Sequence, residues 1–254
     1  MLIQQAQLQR NFSRAAAQYG THAQLQQQWR TELFERALAH AASGNMRVLD
    51  VGSGPGAFAQ AWRAQRPQDH VLNLDIAYGM CVQAHLHAPS LQASATALPL
   101  RDGSVDLLVS ALCLQWVDDL PRAMAEMARV LKPGAAAMVM TLGAQTLQEL
   151  RTLDGALRLL PMRDATEYAA AAERAGLVVR TCEQRLQPVA YADLKALLHS
   201  MRAIGAGAAF TTPATRLTPG RFHALAQAYA QHHPHALGGV VGSWQPLYVH
   251  LVKE

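Results

Sequence analysis

Short apolar runs alternate with helix-like segments through the first half of the chain. Four runs have the length and composition of buried strands, namely MRVLDV (46–51), HVLNLDI (70–76), VDLLVSAL (105–112) and AAAMVMTL (135–142). Helices are predicted between them over Ala57 to Gln65, Met80 to His87 and Leu120 to Leu131, where Lys132-Pro133-Gly134 ends the third. Strands that alternate with helices imply an α/β fold with a mostly parallel sheet and right-handed crossovers.

The two ends of the chain have different patterns. Residues 4 to 42 are rich in Ala, Gln, Leu and Arg and predict two helices, which we interpret as an arm over residues 1–45. Beyond residue 142 we predict, in order, helices over 145–160 and 165–175, a strand over 177–186, helices over 191–204 and 221–230, and a last strand over 244–252. The segment 190–240 is long for a connection between two strands. The predicted organisation of residues 1–254 is a single domain with the helical arm, a ligand-binding core over 46–189, an inserted helical cap over 190–240 and the last strand within 241–254.

Composition narrows the class of protein. Half of the 254 residues are hydrophobic and 16% are charged, which is not the composition of a disordered chain. Three scattered cysteines, Cys81, Cys113 and Cys182, are too few for a disulfide framework or a zinc site and suit a reducing, cytoplasmic location. No apolar signal region begins the sequence and no apolar run approaches about 18 residues, so we expect neither a signal peptide nor a membrane span.

The charge is unevenly distributed along the chain. The net charge is +4, which permits an acidic partner without requiring one. No acid lies between Asp193 and Glu254, whereas the basic residues there are Lys195, Arg202, Arg216, Arg221 and Lys253. This pattern indicates either a solvated basic face or a docking patch, and the charge alone favours the solvated face. We expect no nucleic-acid partner.

A glycine-rich turn follows the first predicted strand in the stretch VLDVGSGPGAF, residues 48–58. Glycine permits positive φ and lets a ligand approach the backbone closely. In an open α/β sheet such a turn lies at the carboxyl edge of the strands, where ligands bind. Asp75 ends the next strand about twenty residues later and can accept hydrogen bonds from both hydroxyls of a ribose. The alternative is a tight turn without a ligand, but the acid and the glycines together favour a ribose-bearing ligand.

The turn alone does not decide which nucleotide binds. Gly52 to Ala57 fits the dinucleotide pattern, and Tyr191-x-x-x-Lys195 is similar to a short-chain dehydrogenase dyad. However, the turn follows a helical arm, and no serine lies a turn upstream of Tyr191 to complete a triad. The carboxylate of Asp50 would also repel a diphosphate and attract an amino group. S-adenosylmethionine has a ribose, no phosphate and an ammonium group, so we favour it over a dinucleotide.

Four stretches resemble the signature motifs of class I S-adenosylmethionine-dependent methyltransferases: VLDVGSGPG, LNLDIAYGM, ALPLRDGSVDLLVSAL and RVLKPGA. The resemblance covers residues 46–142 and implies a Rossmann-like, seven-stranded, mostly parallel sheet with an antiparallel last strand, WQPLYVHLV. It implies that Asp50 faces the methionine end of the cofactor. The cofactor-binding residues that it implies are Asp50, Gly52, Ser53, Gly54, Gly56, Asp75, Ile76, Met80, Ser94, Ala95, Ala111 and Leu112.

The sequence departs from the methyltransferase pattern at the position that follows the third strand of the family's sheet, ahead of the run VDLLVSAL. The family usually has an acid there to accept the adenine amino group, and this chain has Ala93-Ser94-Ala95. The Ser94 hydroxyl can still accept a hydrogen bond, although a neutral acceptor binds less strongly than a carboxylate. We therefore expect a reduced affinity for the cofactor.

Further stretches resemble the malonyl-[acyl-carrier protein] O-methyltransferase family of biotin synthesis: FSRAAAQYGTHAQLQ, LCLQWVDDL, TLGAQTLQELR, SMRAIGAG and PLYVHLV. This resemblance implies methylation of the free carboxylate of a malonyl thioester, with S-adenosylhomocysteine as the other product. It implies a transient, acidic acyl carrier protein as partner, or coenzyme A as the thiol. The substrate residues that we predict are Tyr19, His22, Gln115, Trp116 and Arg202.

A carboxylate acceptor is ionised at neutral pH, so we predict no catalytic acid or base. The cluster His232, His233 and His235 has no acids nearby in the sequence, and we expect no metal site. Two alternatives remain open. One is a small-molecule carboxyl methyltransferase of the trans-aconitate type, and the other is a non-catalytic methyltransferase-like assembly factor.

Overall fold

The computed structural model of the chain describes residues 5–16, 24–153, 158–159, 161–203, 210–211, 218–236 and 238–254. The helices in these ranges are α1 (Gln5–Ala15), α2 (Gln24–Ala39), α3 (Ala57–Gln65), α4 (Tyr78–Ala84), α5 (Leu120–Val130), α6 (Ala165–Arg174), α7 (Leu194–Ala203) and α8 (Pro219–His232). The strands are β1 (Arg47–Val51), β2 (His70–Asp75), β3 (Ser90–Gln92), β4 (Val105–Ala111), β5 (Leu131–Leu142), β6 (Arg158–Leu159), β7 (Leu177–Gln184), β8 (Gln187–Tyr191), β9 (Phe210–Thr211), β10 (Val240–Trp244) and β11 (Pro246–Lys253).

Seven strands form one sheet in the order β3-β2-β1-β4-β5-β11-β7. The first five strands in this order, β3 to β5, pair in parallel with one another. Strand β11 lies antiparallel to both β5 and β7. This arrangement confirms the predicted Rossmann-like fold, including the direction of the last strand.

Helices cover both faces of the sheet, which explains why the strands appear in the sequence as continuous apolar runs. On one face Trp29 of α2 and Trp62 of α3 are completely buried. On the other face Met124 and Met127 of α5 pack with Tyr168 of α6, and all three are also completely buried. Burying an apolar side chain of this size contributes about 1.5–3 kcal/mol, so both layers stabilise the sheet edge that carries the site.

The prediction of a helix over 145–160 is wrong for the part of that range that the structure describes. A short 3₁₀ helix spans Gln148–Thr152, and β6 pairs with β9. Leu147 has a left-handed backbone with φ of 51°, and its N–H donates to Ser243 O. The Glu149 carboxylate accepts a hydrogen bond from Ser243 N at 3.1 Å. Contacts with β10 therefore replace the hydrogen bonds of a regular helix.

The segment predicted as a cap starts and ends in paired strands. Strand β8 pairs antiparallel with β10, which joins the two ends of residues 190–240. Tyr191 belongs to β8, so α7 begins later than predicted, after Asp193 accepts a hydrogen bond from Ala196 N at 2.7 Å. The last strand is divided at Gln245 into β10 and β11.

The Lys132-Pro133-Gly134 stretch follows the end of α5 as predicted and lies within β5. The pairing of β4 with β5 shifts register after Val105, which pairs with Leu131 before Leu107 pairs with Ala136. Gly134 has φ of 78°, as an irregular strand position of this kind favours. The strand therefore begins at Leu131, four residues before its predicted start.

Candidate functional site

A cavity of about 280 Å³ lies at the carboxyl ends of β1, β2 and β4. The glycine turn, the segment after β2, the loop after β3 and the segment between β4 and α5 form its wall. Ligands of open α/β sheets bind at this edge. The predicted residues that the structure places in the wall are Gly52, Gly54, Asp75, Ile76, Met80, Ser94, Ala95, Ala111, Leu112 and Trp116.

The three glycines of the turn have different surroundings. Their φ angles are 74° at Gly52, 55° at Gly54 and 87° at Gly56, all in the left-handed region. A Cβ at Gly52 would overlap the Cys113 side chain, and one at Gly56 would lie 2.8 Å from Ala84 Cα. At Gly54 no atom lies within 4 Å of that position. Two glycines therefore permit close packing, and Gly54 leaves the cavity open.

Asp75 connects the end of β2 to the glycine turn. Its Oδ2 accepts a hydrogen bond from Gly54 N at 3.0 Å, and its Oδ1 accepts one from Ala77 N at 2.8 Å. Burial raises the pKa of Asp75, and these backbone N–H groups oppose the rise. A carboxylate has about four lone-pair sites, so Asp75 keeps acceptor capacity for a ligand hydroxyl beside these backbone N–H groups.

Asp50 is a buried carboxylate near the end of β1. It is 3% exposed, and burial raises its pKa to about 7. The positive charge of Arg30 opposes this rise, and the negative charge of Asp75 adds to it. None of the described residues donates a hydrogen bond to the Asp50 carboxylate. Asp50, Ser53 and Gly56 adjoin the cavity wall without being part of it, whereas Arg30 is part of it.

The arm contributes to the cavity through Leu8 and Phe12 of α1, two residues that were not among those predicted for the arm. Phe12 packs edge-to-face on Trp116, with ring centroids 5.6 Å apart. Gly79 N of α4 donates a hydrogen bond to Ser13 Oγ at 3.3 Å, which holds α1 against α4. Leu8 and Phe12 thereby add apolar surface to the wall.

The predicted substrate residues are Tyr19, His22, Gln115, Trp116 and Arg202. Only Trp116 among the described ones is in the cavity wall. The Gln115 side chain instead accepts a hydrogen bond from Thr141 Oγ1 at 3.0 Å, outside the wall. Tyr19 and His22 lie outside the described residues, and Arg202 is described only as backbone in α7.

Several residues of the wall were not predicted. The polar ones are Arg30 of α2, Thr96 after β3, and Asp118 and Asp119 before α5. The two acids lie two and three residues after Trp116, in the segment that follows the strand already placed at this edge. That proximity was the available signal for them. The apolar ones are Leu8, Phe12, Val51, Leu74, Ala93, Cys113 and Val117.

Comparison with known proteins identifies the family. A family model described as "Methyltransferase domain" matches residues 49–139. Malonyl-[acyl-carrier protein] O-methyltransferase of Xylella fastidiosa is 35% identical over 253 residues, which cover 95% of this chain and 85% of that protein. The chain belongs to the malonyl-[acyl-carrier protein] O-methyltransferase family.

A second malonyl-[acyl-carrier protein] O-methyltransferase, from Erwinia billingiae, is 34% identical and covers 96% of this chain and 95% of its own. Among solved structures, the YcgJ protein of Bacillus subtilis superposes with a TM-score of 0.64 at 16% identity, covering 89% of this chain and 99% of the other. The structural match supports the fold alone, and the sequence matches support the family.

The described residues fit S-adenosylmethionine, the cofactor of class I methyltransferases. The open space at Gly54 and the free lone pairs of Asp75 suit a ribose, and the nearby carboxylate of Asp50 suits a positive charge. In the part of the chain that the structure describes, no three His, Cys, Asp or Glu side chains are grouped as a metal site. None of the described helices has both the length and the apolar composition to cross a membrane.

Proposed function

We propose that this chain transfers the methyl group of S-adenosylmethionine to the free carboxylate of a malonyl thioester, an early step of biotin synthesis. The observation that carries the proposal is the 35% identity to a malonyl-[acyl-carrier protein] O-methyltransferase over 95% of the chain. The cavity supports it, because its wall combines a ribose-type acceptor, a glycine opening and apolar surface. The products are the malonyl methyl ester and S-adenosylhomocysteine.

When bound, the cofactor supplies a methyl group on a positively charged sulfur. A carboxylate oxygen forms the new C–O bond as the C–S bond breaks, and no proton has to move. The chain must therefore align the two reactants and exclude water. We assign alignment to Asp75 and Gly54, and exclusion of water to Leu8, Phe12 and Trp116.

The malonyl carboxylate loses water when it enters this cavity, and an unpaired charge there would be costly. Arginine matches a carboxylate with two parallel donors. Arg30 lies in the wall, but its charge already acts on Asp50. We propose Arg202 as the carboxylate partner, because it belongs to SMRAIGAG, one of the stretches that resemble the family, and α7 carries it in the segment between β8 and β10.

We propose an acidic acyl carrier protein as a transient partner in the cytoplasm. The absence of acids between Asp193 and Glu254 supports this partner, since complementary charge favours encounter. Lys195 of α7 and Arg221 of α8 are exposed in the described part of this segment. Encounter with the carrier protein should weaken as salt is raised.

The decisive experiment measures transfer of a labelled methyl group to malonyl-acyl carrier protein, malonyl-coenzyme A and trans-aconitate. We expect base-labile label in a malonyl thioester and little in trans-aconitate. Transfer only to trans-aconitate would show a small-molecule carboxyl methyltransferase. Tight binding of S-adenosylmethionine without any transfer, or no binding at all, would contradict the proposed enzyme.

Arg202→Ala tests the carboxylate partner in the same assay. We expect turnover of malonyl thioester to fall by at least ~100-fold with nearly unchanged cofactor affinity, the loss typical of one partner of a buried charge pair. Arg202→Lys should rescue only part of the turnover, because a point charge lacks the two-pronged geometry. Arg174→Ala, at an exposed position of α6, is the matched control. Turnover in the Arg202→Ala protein equal to that of the control would exclude Arg202 as the partner.

A further inference from the structure

We propose that Asp118 accepts the hydrogen bond of the adenine amino group and so selects a 6-aminopurine cofactor. The inference rests on the proposed use of S-adenosylmethionine and adds a residue that determines specificity. It follows from the polar groups at the end of the cavity formed by the loop after β3 and the segment before α5.

Asp75 divides the cavity into two ends. Towards β1 and β4, on one side of β2 in the sheet, the wall contains Ala111, Leu112 and Arg30, whose charge acts on the buried Asp50. Towards β3 it contains Ala95 and Val117 with a few polar side chains. A ligand ammonium group favours the end near Asp50, so a ribose held at Asp75 directs its base to the other end. A flat base with a polar edge requires such a mainly apolar slot with a few acceptors.

The two segments at the base end are held together by Arg122. Its Nε donates to Thr96 O at 3.2 Å, and its backbone N donates to Asp119 Oδ1 at 2.9 Å. The backbone of Asp118 is held as well, because its carbonyl accepts a hydrogen bond from Arg163 Nη2 at 2.7 Å. The Asp118 side chain is therefore presented to the cavity from a fixed position next to the loop after β3.

The other acceptors at this end already have protein partners. Ser94 Oγ accepts from Thr96 N at 3.2 Å and lies 2.8 Å from Thr96 Oγ1, so both hydroxyls close their own turn. Asp119 caps the first turn of α5. Among the described side chains at this end of the cavity, Asp118 is the one whose carboxylate makes no hydrogen bond to the protein. It is exposed in the structure, so it reaches a ligand without loss of a protein contact.

A carboxylate at position 118 should prefer adenine over hypoxanthine, and a substitution of Asp118 should weaken that preference. The 6-amino group of adenine donates to a carboxylate, whereas the 6-oxo group of hypoxanthine presents an acceptor that a carboxylate repels. Asparagine offers both an acceptor and a donor at the same place. Asp118→Asn should therefore bind S-adenosylhomocysteine about 3- to 10-fold more weakly and S-inosylhomocysteine more tightly than wild type does.

The test measures both dissociation constants by calorimetry for wild type, Asp118→Asn and Asp119→Asn. Asparagine is also a good N-cap, so Asp119→Asn removes the same charge one residue away and keeps α5 capped. We expect the preference for the adenosyl ligand to fall at least tenfold in Asp118→Asn and to stay at the wild-type value in Asp119→Asn. An unchanged preference in Asp118→Asn, or an equal fall in both variants, would overturn the proposal. Wild-type protein that binds neither ligand would instead overturn the proposed function itself.

Discussion

Replacing Gly54 with valine tests whether the glycine turn is open because a ligand occupies that space. Gly54 has φ of 55°, and no protein atom lies within 4 Å of the position of a Cβ. The new side chain therefore meets no protein atom at its Cβ. Its cost to folding is the strain of a left-handed, non-glycine residue, about 1–2 kcal/mol.

The valine should also weaken the binding of the cofactor. The valine side chain would fill part of the cavity next to Asp75, where the ribose is proposed to lie. Forcing extra methyl groups into a packed contact costs about 1–3 kcal/mol. Since each 1.4 kcal/mol changes an affinity tenfold, the dissociation constant should rise about 5- to 150-fold.

Gly103→Val is the matched control. Gly103 has φ of 56° and also has no atom within 4 Å of its Cβ position, but it lies outside the cavity wall. Urea unfolding should show similar losses of stability in the two variants. Calorimetry with S-adenosylhomocysteine should show weaker binding only for Gly54→Val. Equal affinities in the two variants would refute the idea that the turn is open for the cofactor.

Two further predictions concern the buried acid and the arm. Folding raises the pKa of Asp50 from 3.8 to about 7, so the folded state binds more protons than the unfolded state between these pH values. The free energy of unfolding therefore falls as the pH rises through that window, by about 4 kcal/mol in total. In urea unfolding without cofactor, Asp50→Asn should therefore be more stable than wild type at pH 8, with a smaller difference at pH 5; a difference independent of pH would contradict this. Gly79→Ala should displace α1, because its Cβ would lie 2.7 Å from Ser13 O, whereas Gly220→Ala in α8 meets no atom within 4 Å. Limited proteolysis should cleave the arm faster only in Gly79→Ala, and equal rates in both variants would argue against the packing of α1 on α4.

The parts of the site that depend on local sequence were predictable. A buried strand, a glycine turn and a helix are consecutive in the chain, and their patterns are fixed by burial and by φ. Asp75 was predictable for the same reason, because it ends the neighbouring parallel strand. The fold followed from the alternation of such units, and the structure confirms it.

The rest of the site depends on contacts between distant segments. Phe12 and Arg30 reach the cavity because the arm packs on α4 and on the sheet, and neither has a local pattern that distinguishes it from a surface residue. The prediction of a helix around Glu149 was wrong because the Glu149 carboxylate accepts a hydrogen bond from Ser243, which is far away in the sequence. Single-sequence patterns contain the periodicity of an element but not the partner that overrides it.

The position of β11 sets the order in which the molecule can be completed during synthesis. It is the last strand of the sheet to leave the ribosome, yet it lies between β5 and β7. At about 5–20 residues per second, β5 waits several seconds for the roughly hundred residues that separate it from its neighbour. During that time the edge that carries Val139 and Met140 is without its strand partner, and unpaired apolar edges are prone to aggregate. We therefore expect the nascent chain, rather than the finished protein, to be the species that most needs a chaperone.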